Sequence, residues 1–240
     1  MEKVALFCFP YAGGAAASYN TWRQYLNGAM QLRAVELAAR GRRMREANYN
    51  SLHDAVDDVF NIIKDEVAAS PYVLFGHSMG SVIALELAHK IRDNNLPGPG
   101  HIFFSGRAAP QVPRKNKRTL HHLPDEQFKE EIMKLGGTPK EFFQHPELME
   151  VFLPLLKGDF RLTETYVHHD KDSPLACNIT VFSGTQDEDS PEEVEAWKVH
   201  TTGSCDFHYF EGGHFFLHEE TEKIVDIISN TVSREFAGGQ

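Results

Sequence analysis

The chain has 240 residues, 34 Asp and Glu against 24 Lys and Arg, and a formal net charge of −10. That length fits one large domain, or one domain with an insertion, and it can bury an apolar core without disulfides or metal. The acidic balance excludes general nucleic-acid binding, and three Cys with no close pairing exclude a disulfide framework and fit a reducing cytosol.

The opening MEKVALFCFP lacks the basic region and cleavage site of a signal peptide. No stretch approaches the roughly 18 apolar residues of a membrane span. The expectation is a cytoplasmic protein without membrane contact. Residues 4–9 form a continuous apolar run, as a strand buried on both faces would. Trp22 to Leu26 belong to a first helix, and residues 31–37 read as a weaker strand. Ser51 heads the next helix with Asp54 in capping-box position. Leu52, Val56, Val59, Phe60, Ile63 and Val67 follow at helical spacing. A strand at 72–75 is followed by a helix at 79–92, which stops at the breaker cluster Asn94-Asn95-Leu96-Pro97-Gly98-Pro99. Further strands read at 102–105, 179–183 and 206–210, with a final amphipathic helix at 219–236. This alternation predicts an α/β fold, a mostly parallel sheet with helices on both faces.

Residues 108–176 break the pattern. A helix at 124–135 stops at Gly136-Gly137, a second at 147–156 contains Pro154 as a kink or break, and a third covers 159–167. Roughly 70 residues of helix between two strands is an insertion. The expected organisation is a core of 1–107 and 177–240 with a helical lid of 108–176.

Gly76-His77-Ser78-Met79-Gly80 matches G-x-S-x-G, placed between a strand and a helix as a nucleophile elbow requires. The tight turn projects the serine hydroxyl, and the Met79 N–H at the helix start favours an oxyanion. A serine nucleophile needs a base and an orienting acid, which follow in the order Ser, acid, His in α/β-hydrolases. Of 13 His, His214 in Gly212-Gly213-His214 is best placed, after the last strand. His77 occupies the variable elbow position and points away. His121, His122, His168 and His169 belong to the insertion. His214 and His218 are spaced i, i+4 without an evident third ligand, so no metal is expected. Asp187 is the first candidate acid, with Glu188 and Asp189 as rivals in the same loop. The loop Phe9-Pro10-Tyr11-Ala12-Gly13-Gly14 is to supply a second oxyanion donor, Ala12 before Tyr11.

Together, FPYAGG, GHSMG, SGTQD and GGHFF, with LPDEQF in the insertion, resemble the type II thioesterases that accompany nonribosomal peptide and polyketide synthases. The resemblance covers nearly the whole chain. It implies an α/β-hydrolase fold with a helical lid insertion. It also implies cofactor-free hydrolysis of acyl groups from the phosphopantetheine arm of an acyl- or peptidyl-carrier protein. Ser78 would be the nucleophile, Asp187 the acid, His214 the base, and Ala12 and Met79 the oxyanion donors. One departure is Ala39-Arg40-Gly41-Arg42-Arg43, where the family often has Pro before Gly-Arg. A general carboxylesterase or lipase would use the same triad, and an inactive binding protein of the same fold is the alternative of another class. A dehalogenase or epoxide hydrolase is disfavoured because the elbow carries Ser78, not Asp.

Two basic clusters stand out against the acidic background, Arg40, Arg42, Arg43 and Arg45, and Arg107, Arg114, Lys115, Lys117 and Arg118. Arg42, Arg43, Arg114, Lys115 and Lys117 are candidate contacts to the carrier or to its pantetheine phosphate; the other reading is a solvated charge run. Phe128, Ile132, Leu135, Phe142, Phe143, Leu148, Phe152, Leu153 and Leu156 either line an acyl pocket or pack the lid onto the core. Cys8, Cys177 and Cys205 read as small buried hydrophobes. No exposed apolar stripe stands out, and a monomer is expected.

Overall fold

The computed structural model describes residues 3–113, 119–137, 143 and 145–236. The apolar run Val4–Phe9 forms β1, buried at every position. Its side chains divide by parity, as the pleat requires. Ala5, Phe7 and Phe9 enter one apolar cluster, and Val4, Leu6 and Cys8 enter another on the opposite face. A strand covered on both sides carries no polar alternation, and this explains the unbroken run.

The other strands are β2 (Met30–Ala34), β3 (Tyr72–His77), β4 (His101–Ser105), β5 (Asn178–Gly184) and β6 (Cys205–Phe210). They form one six-stranded sheet in the order β2-β1-β3-β4-β5-β6, every pairing parallel. The expected strands are all present, β1 with the expected bounds and the others with ends shifted by at most three residues. Helices α1 (Leu52–Ala69) and α2 (Met79–Asp93) contribute Val56, Val59, Val82, Ile83 and Leu87 to the first cluster. Helix α7 (Thr221–Phe236) contributes Ile224, Val225, Ile228 and Val232 to the second. The capping box of α1 is formed, Ser51 Oγ accepting from the Asp54 N–H. Residues 16–24 are a 3-10 helix, which includes Trp22 but ends before Leu26, both expected within a first helix. Tyr19 and Trp22, three residues apart and both buried, stack edge to face at 5.1 Å. A three-residue turn places such a pair on one side. The final helix is split, a short α6 (Phe216–Glu219) preceding α7.

Between β4 and β5 lie α3 (Asp125–Leu135) and α4 (Pro146–Thr165). Helix α3 ends at Gly136 and Gly137, whose φ values of 77° and 80° suit glycine. The helices expected at 147–156 and 159–167 are one, and α4 continues through Pro154. Proline in a helix costs about 3 kcal/mol. Burial of one leucine contributes about 1.5–3 kcal/mol, and Leu153, Leu156 and Leu162 are all buried along this helix. Packing therefore outweighs the lost hydrogen bond. Three short segments among the described residues were not anticipated, a 3-10 turn at Gly41–Arg43, α5 (Pro191–Glu195) and a 3-10 turn at Ala196–His200. Among the described residues no helix is long and apolar enough to cross a membrane.

The strand order reverses direction beside β1. The chain steps from β1 out to β2, then back across to β3. The crevice at the C-terminal ends of β1 and β3 is therefore the topological switch point, where open parallel sheets bind ligands.

Candidate active site

Ser78 sits between β3 and α2 with φ 55° and ψ −111°. A non-glycine residue held there stores roughly 1–3 kcal/mol of strain, which the surroundings must maintain. Two glycines allow the turn. A Cβ on Gly76 would lie 2.0 Å from the Gly80 carbonyl oxygen, and one on Gly80 would lie 2.1 Å from the Phe9 oxygen. The Ser78 N–H donates to the Ser105 carbonyl at 2.7 Å. Ser81 Oγ lies 2.8 Å from the Gly76 carbonyl and 2.9 Å from that of Ser105, and it accepts the Ser105 N–H at 3.0 Å. The elbow is thus clamped to β1 and β4.

His214 lies on the loop between β6 and α6. Its Nε2 is 2.9 Å from Ser78 Oγ, and its Nδ1 is 3.0 Å from Asp187 Oδ2. Asp187 Oδ1 accepts the Glu188 N–H at 2.8 Å, so both carboxylate oxygens are held. Asp189 instead accepts the Ala108 N–H at 2.6 Å and ties down the chain after β4. Asp187 is the acid of this loop that meets His214. The loops after β5 and β6 are joined by hydrogen bonds from Thr185 N–H to the Phe210 carbonyl and from Gln186 N–H to the Gly212 carbonyl, at 2.8 and 2.9 Å.

His77 is buried, with Nδ1 2.8 Å from Ser105 Oγ and its ring centre 5.2 Å from that of His214. Burial, and next the charge of His214, holds its pKa well below the ordinary histidine value. It stays neutral and adds no second charge beside a protonated His214. His218 Nε2 is 3.2 Å from Tyr11 Oη. Among the described residues no three His, Cys, Asp or Glu side chains are grouped as a metal site would need.

A cavity of about 290 Å³ opens onto Ser78 and His214, with Ala12, Ile132, Phe152 and Leu156 among its walls. Met79 is the first residue of α2, and its N–H therefore has no carbonyl one turn back within the helix. Phe128, Ile132, Leu153 and Leu156 form a third apolar cluster, against which Ala12, Leu135, Phe143 and Phe152 pack. Leu148 is exposed. Phe142 lies outside the described residues.

The described basic residues differ in their surroundings. Arg42 is exposed. Arg43 is paired with Glu46 and Asp58, which hold its pKa well above the ordinary arginine value. Arg107 is buried, and so is Arg40, only 3% exposed and paired with Asp159. Arg114, Lys115, Lys117 and Arg118 lie outside the described residues. Sequence reasoning grouped Arg40 with its neighbours and passed over Asp159. The available signal was an acid at 159 in register with the buried stripe Met149, Leu153, Leu156 and Leu162 of α4.

The model of a family described as Thioesterase domain matches residues 4–232. The gramicidin S biosynthesis protein GrsT of Aneurinibacillus migulanus is 36% identical, over 94% of this chain and 88% of its own. ClbQ, from the colibactin NRPS/PKS pathway, superposes with a TM-score of 0.94 at 38% identity, covering 99% of this chain and 100% of ClbQ. The type II thioesterase BorB, from the borrelidin biosynthetic cluster, superposes with a TM-score of 0.86 at 33% identity, over 95% of this chain and 92% of BorB.

Proposed function

This chain belongs to the thioesterase family and is a thioester hydrolase of the α/β-hydrolase fold, and on that premise we propose that Ser78, His214 and Asp187 are its catalytic triad. The substrate is an acyl group on the phosphopantetheine thiol of a carrier protein, and the task is removal of stalled or mis-primed acyl chains. The observation that carries the triad is the continuous hydrogen-bond line from Ser78 Oγ through both ring nitrogens of His214 to Asp187. Likeness to GrsT, of gramicidin S biosynthesis, to ClbQ, of the colibactin NRPS/PKS pathway, and to the type II thioesterase BorB supports the carrier-bound substrate.

In the first half-reaction His214 Nε2 takes the Ser78 proton as Oγ bonds to the thioester carbonyl carbon. The N–H groups of Ala12 and Met79 hold the oxyanion; one such donor contributes roughly 10²–10³ in rate. The intermediate collapses, the C–S bond breaks, and the sulfur leaves with the proton from His214. In the second half-reaction His214 takes a proton from water as the water oxygen bonds to the acyl carbon. Collapse then breaks the bond to Oγ, returns the proton to Ser78 and frees the carboxylic acid. Asp187 holds the imidazole tautomer and orientation throughout. These steps use side chains and backbone alone.

Residues 108–176 act as a lid that closes the acyl cavity against water. Arg42, Arg114, Lys115 and Lys117 are the residues that contact the carrier or its pantetheine phosphate. The charge of Arg43 is matched by Glu46 and Asp58, and it supports that loop.

The test follows an acetyl-phosphopantetheinyl carrier protein by intact mass, beside a small nitrophenyl ester. Wild type is expected to deacylate the carrier far faster than it cleaves the ester, and Ser78→Ala is expected to do neither. Rapid ester cleavage with the carrier untouched would reject the substrate. Full activity in Ser78→Ala would reject the triad.

A further inference from the structure

Arg40 and Asp159 form a bidentate ion pair in which the two side chains are 3% and 0% exposed. Arg40 Nη1 reaches Asp159 Oδ2 and Nη2 reaches Oδ1, both at 2.8 Å. The pair also holds backbone. Asp159 Oδ2 accepts the Gly13 N–H at 2.7 Å. Arg40 Nη1 donates to the Gly14 carbonyl at 3.0 Å, and Nε donates to that of Ala38 at 3.1 Å. Asp159 belongs to α4, Arg40 to the loop after β2, and Gly13 and Gly14 to the loop after β1. One buried pair thus joins three segments that are distant in sequence.

A buried ion pair is weak evidence of stability, because apolar residues of similar volume fill such a site as well. Its effect here is on orientation. Gly13 has φ 76°, and a Cβ there would lie 2.7 Å from Leu156 of the same helix, so this turn is fitted closely to α4. The peptide whose N–H is held by Asp159 adjoins the one that carries the Ala12 N–H.

We infer that Asp159 is a positioning residue: from α4 it fixes the Gly13 peptide directly and the Gly14 peptide through Arg40, so that the Ala12 N–H is aimed at the thioester oxygen only while α4 is seated. This rests on the reading of Ala12 as an oxyanion donor. It makes closure of the lid and completion of the oxyanion hole one event. A substrate that holds α4 off the core meets Ser78 and His214 without the second donor, and turns over slowly.

Asp159→Asn keeps the shape of the side chain and removes the charge. Arg40→Met combined with Asp159→Leu removes both charges together and leaves no buried ion unmatched, so the test survives if Asp159→Asn does not fold. Each variant is assayed on a short acyl-N-acetylcysteamine thioester. Binding is measured for an alkylboronic acid, which forms a tetrahedral adduct on Ser78, and for the matching non-reactive thioether. The expected result is a fall of about 10²-fold in kcat with KM within a few-fold of wild type. Boronate affinity should fall by a similar factor while thioether affinity holds. A folded variant with wild-type kcat overturns the proposal. So does a parallel loss in kcat, KM and thioether binding, the mark of a merely structural role. Ser78→Ala assayed alongside separates the two levels, since turnover in that variant rejects the serine mechanism itself.

Discussion

Gly184 and Gly212 approach so closely that a Cβ on Gly184 would lie 2.6 Å from the carbonyl oxygen of Gly212. Gly184 ends β5, three residues before Asp187; Gly212 lies two residues before His214. The distance between acid and base is therefore set by two backbones in contact. Gly184→Ala must push these loops apart. Overpacking of this kind costs about 1–3 kcal/mol. The expected outcome is a folded enzyme with a lower melting temperature and a kcat reduced at least tenfold. Steady-state kinetics beside a thermal melt checks it, and unchanged kcat would show that the loops yield without moving His214.

Acid is expected to destabilise the fold before the carboxylates titrate. Burial holds the pKa of His89, His101 and His200 down at about 4. The unfolded chain takes up these protons near the ordinary value of roughly 6.5, and the native state refuses them. The stability they contribute is complete above that value and is lost as pH falls from there towards 4, by up to about 1.4 kcal/mol per pH unit for each. Urea midpoints measured from neutral pH down to about 5 should fall steadily, with a shallower fall in His89→Leu. A flat profile would contradict the burial of neutral imidazoles.

Ala39 stands at φ 64°, in the left-handed region, before the buried Arg40. For an L-residue with a Cβ this costs roughly 1–2 kcal/mol, which glycine does not incur. Ala39→Gly is expected to stabilise the protein by about 0.5–1 kcal/mol after the added freedom of the unfolded chain is subtracted. For a domain of this size that raises the melting temperature by roughly 2–4 °C at most. A lower melting temperature would mean that the Ala39 methyl group packs usefully.

Reversal of Arg42, Arg114, Lys115 and Lys117 to Glu should raise KM for an acyl-carrier protein several-fold and weaken its salt dependence, because rim charges act mainly on encounter. KM for a short free thioester should not move. An equal change for both substrates would place these residues in the folding of the enzyme and not in docking.

Much of this protein could be read locally. Six strands, the Ser51 cap and the G-x-S-x-G elbow rest on short-range rules, the parity of a pleat or the closeness of a turn, and one stretch of chain carries all the information. The same rules placed Ser78 at a strand end and His214 in the last strand-to-helix loop. They put Asp187 first and kept Glu188 and Asp189 as rivals, because a loop has no period to say which carboxylate turns inward. That was settled by the approach of two loops from β5 and β6. The helices expected at 147–156 and 159–167 are joined through Pro154: the proline's local cost is visible in sequence, while the burial of Leu153, Leu156 and Leu162 that outweighs it comes from partners far along the chain. Arg40 shows the limit most clearly. Beside Arg42 and Arg43 it reads as one more surface charge, but its counterion is 119 residues away on α4. Composition and spacing decide which residues are able to fold together and react; which charge is buried, and what it holds in place, depends on contacts between distant segments that exist only once the chain has closed on itself.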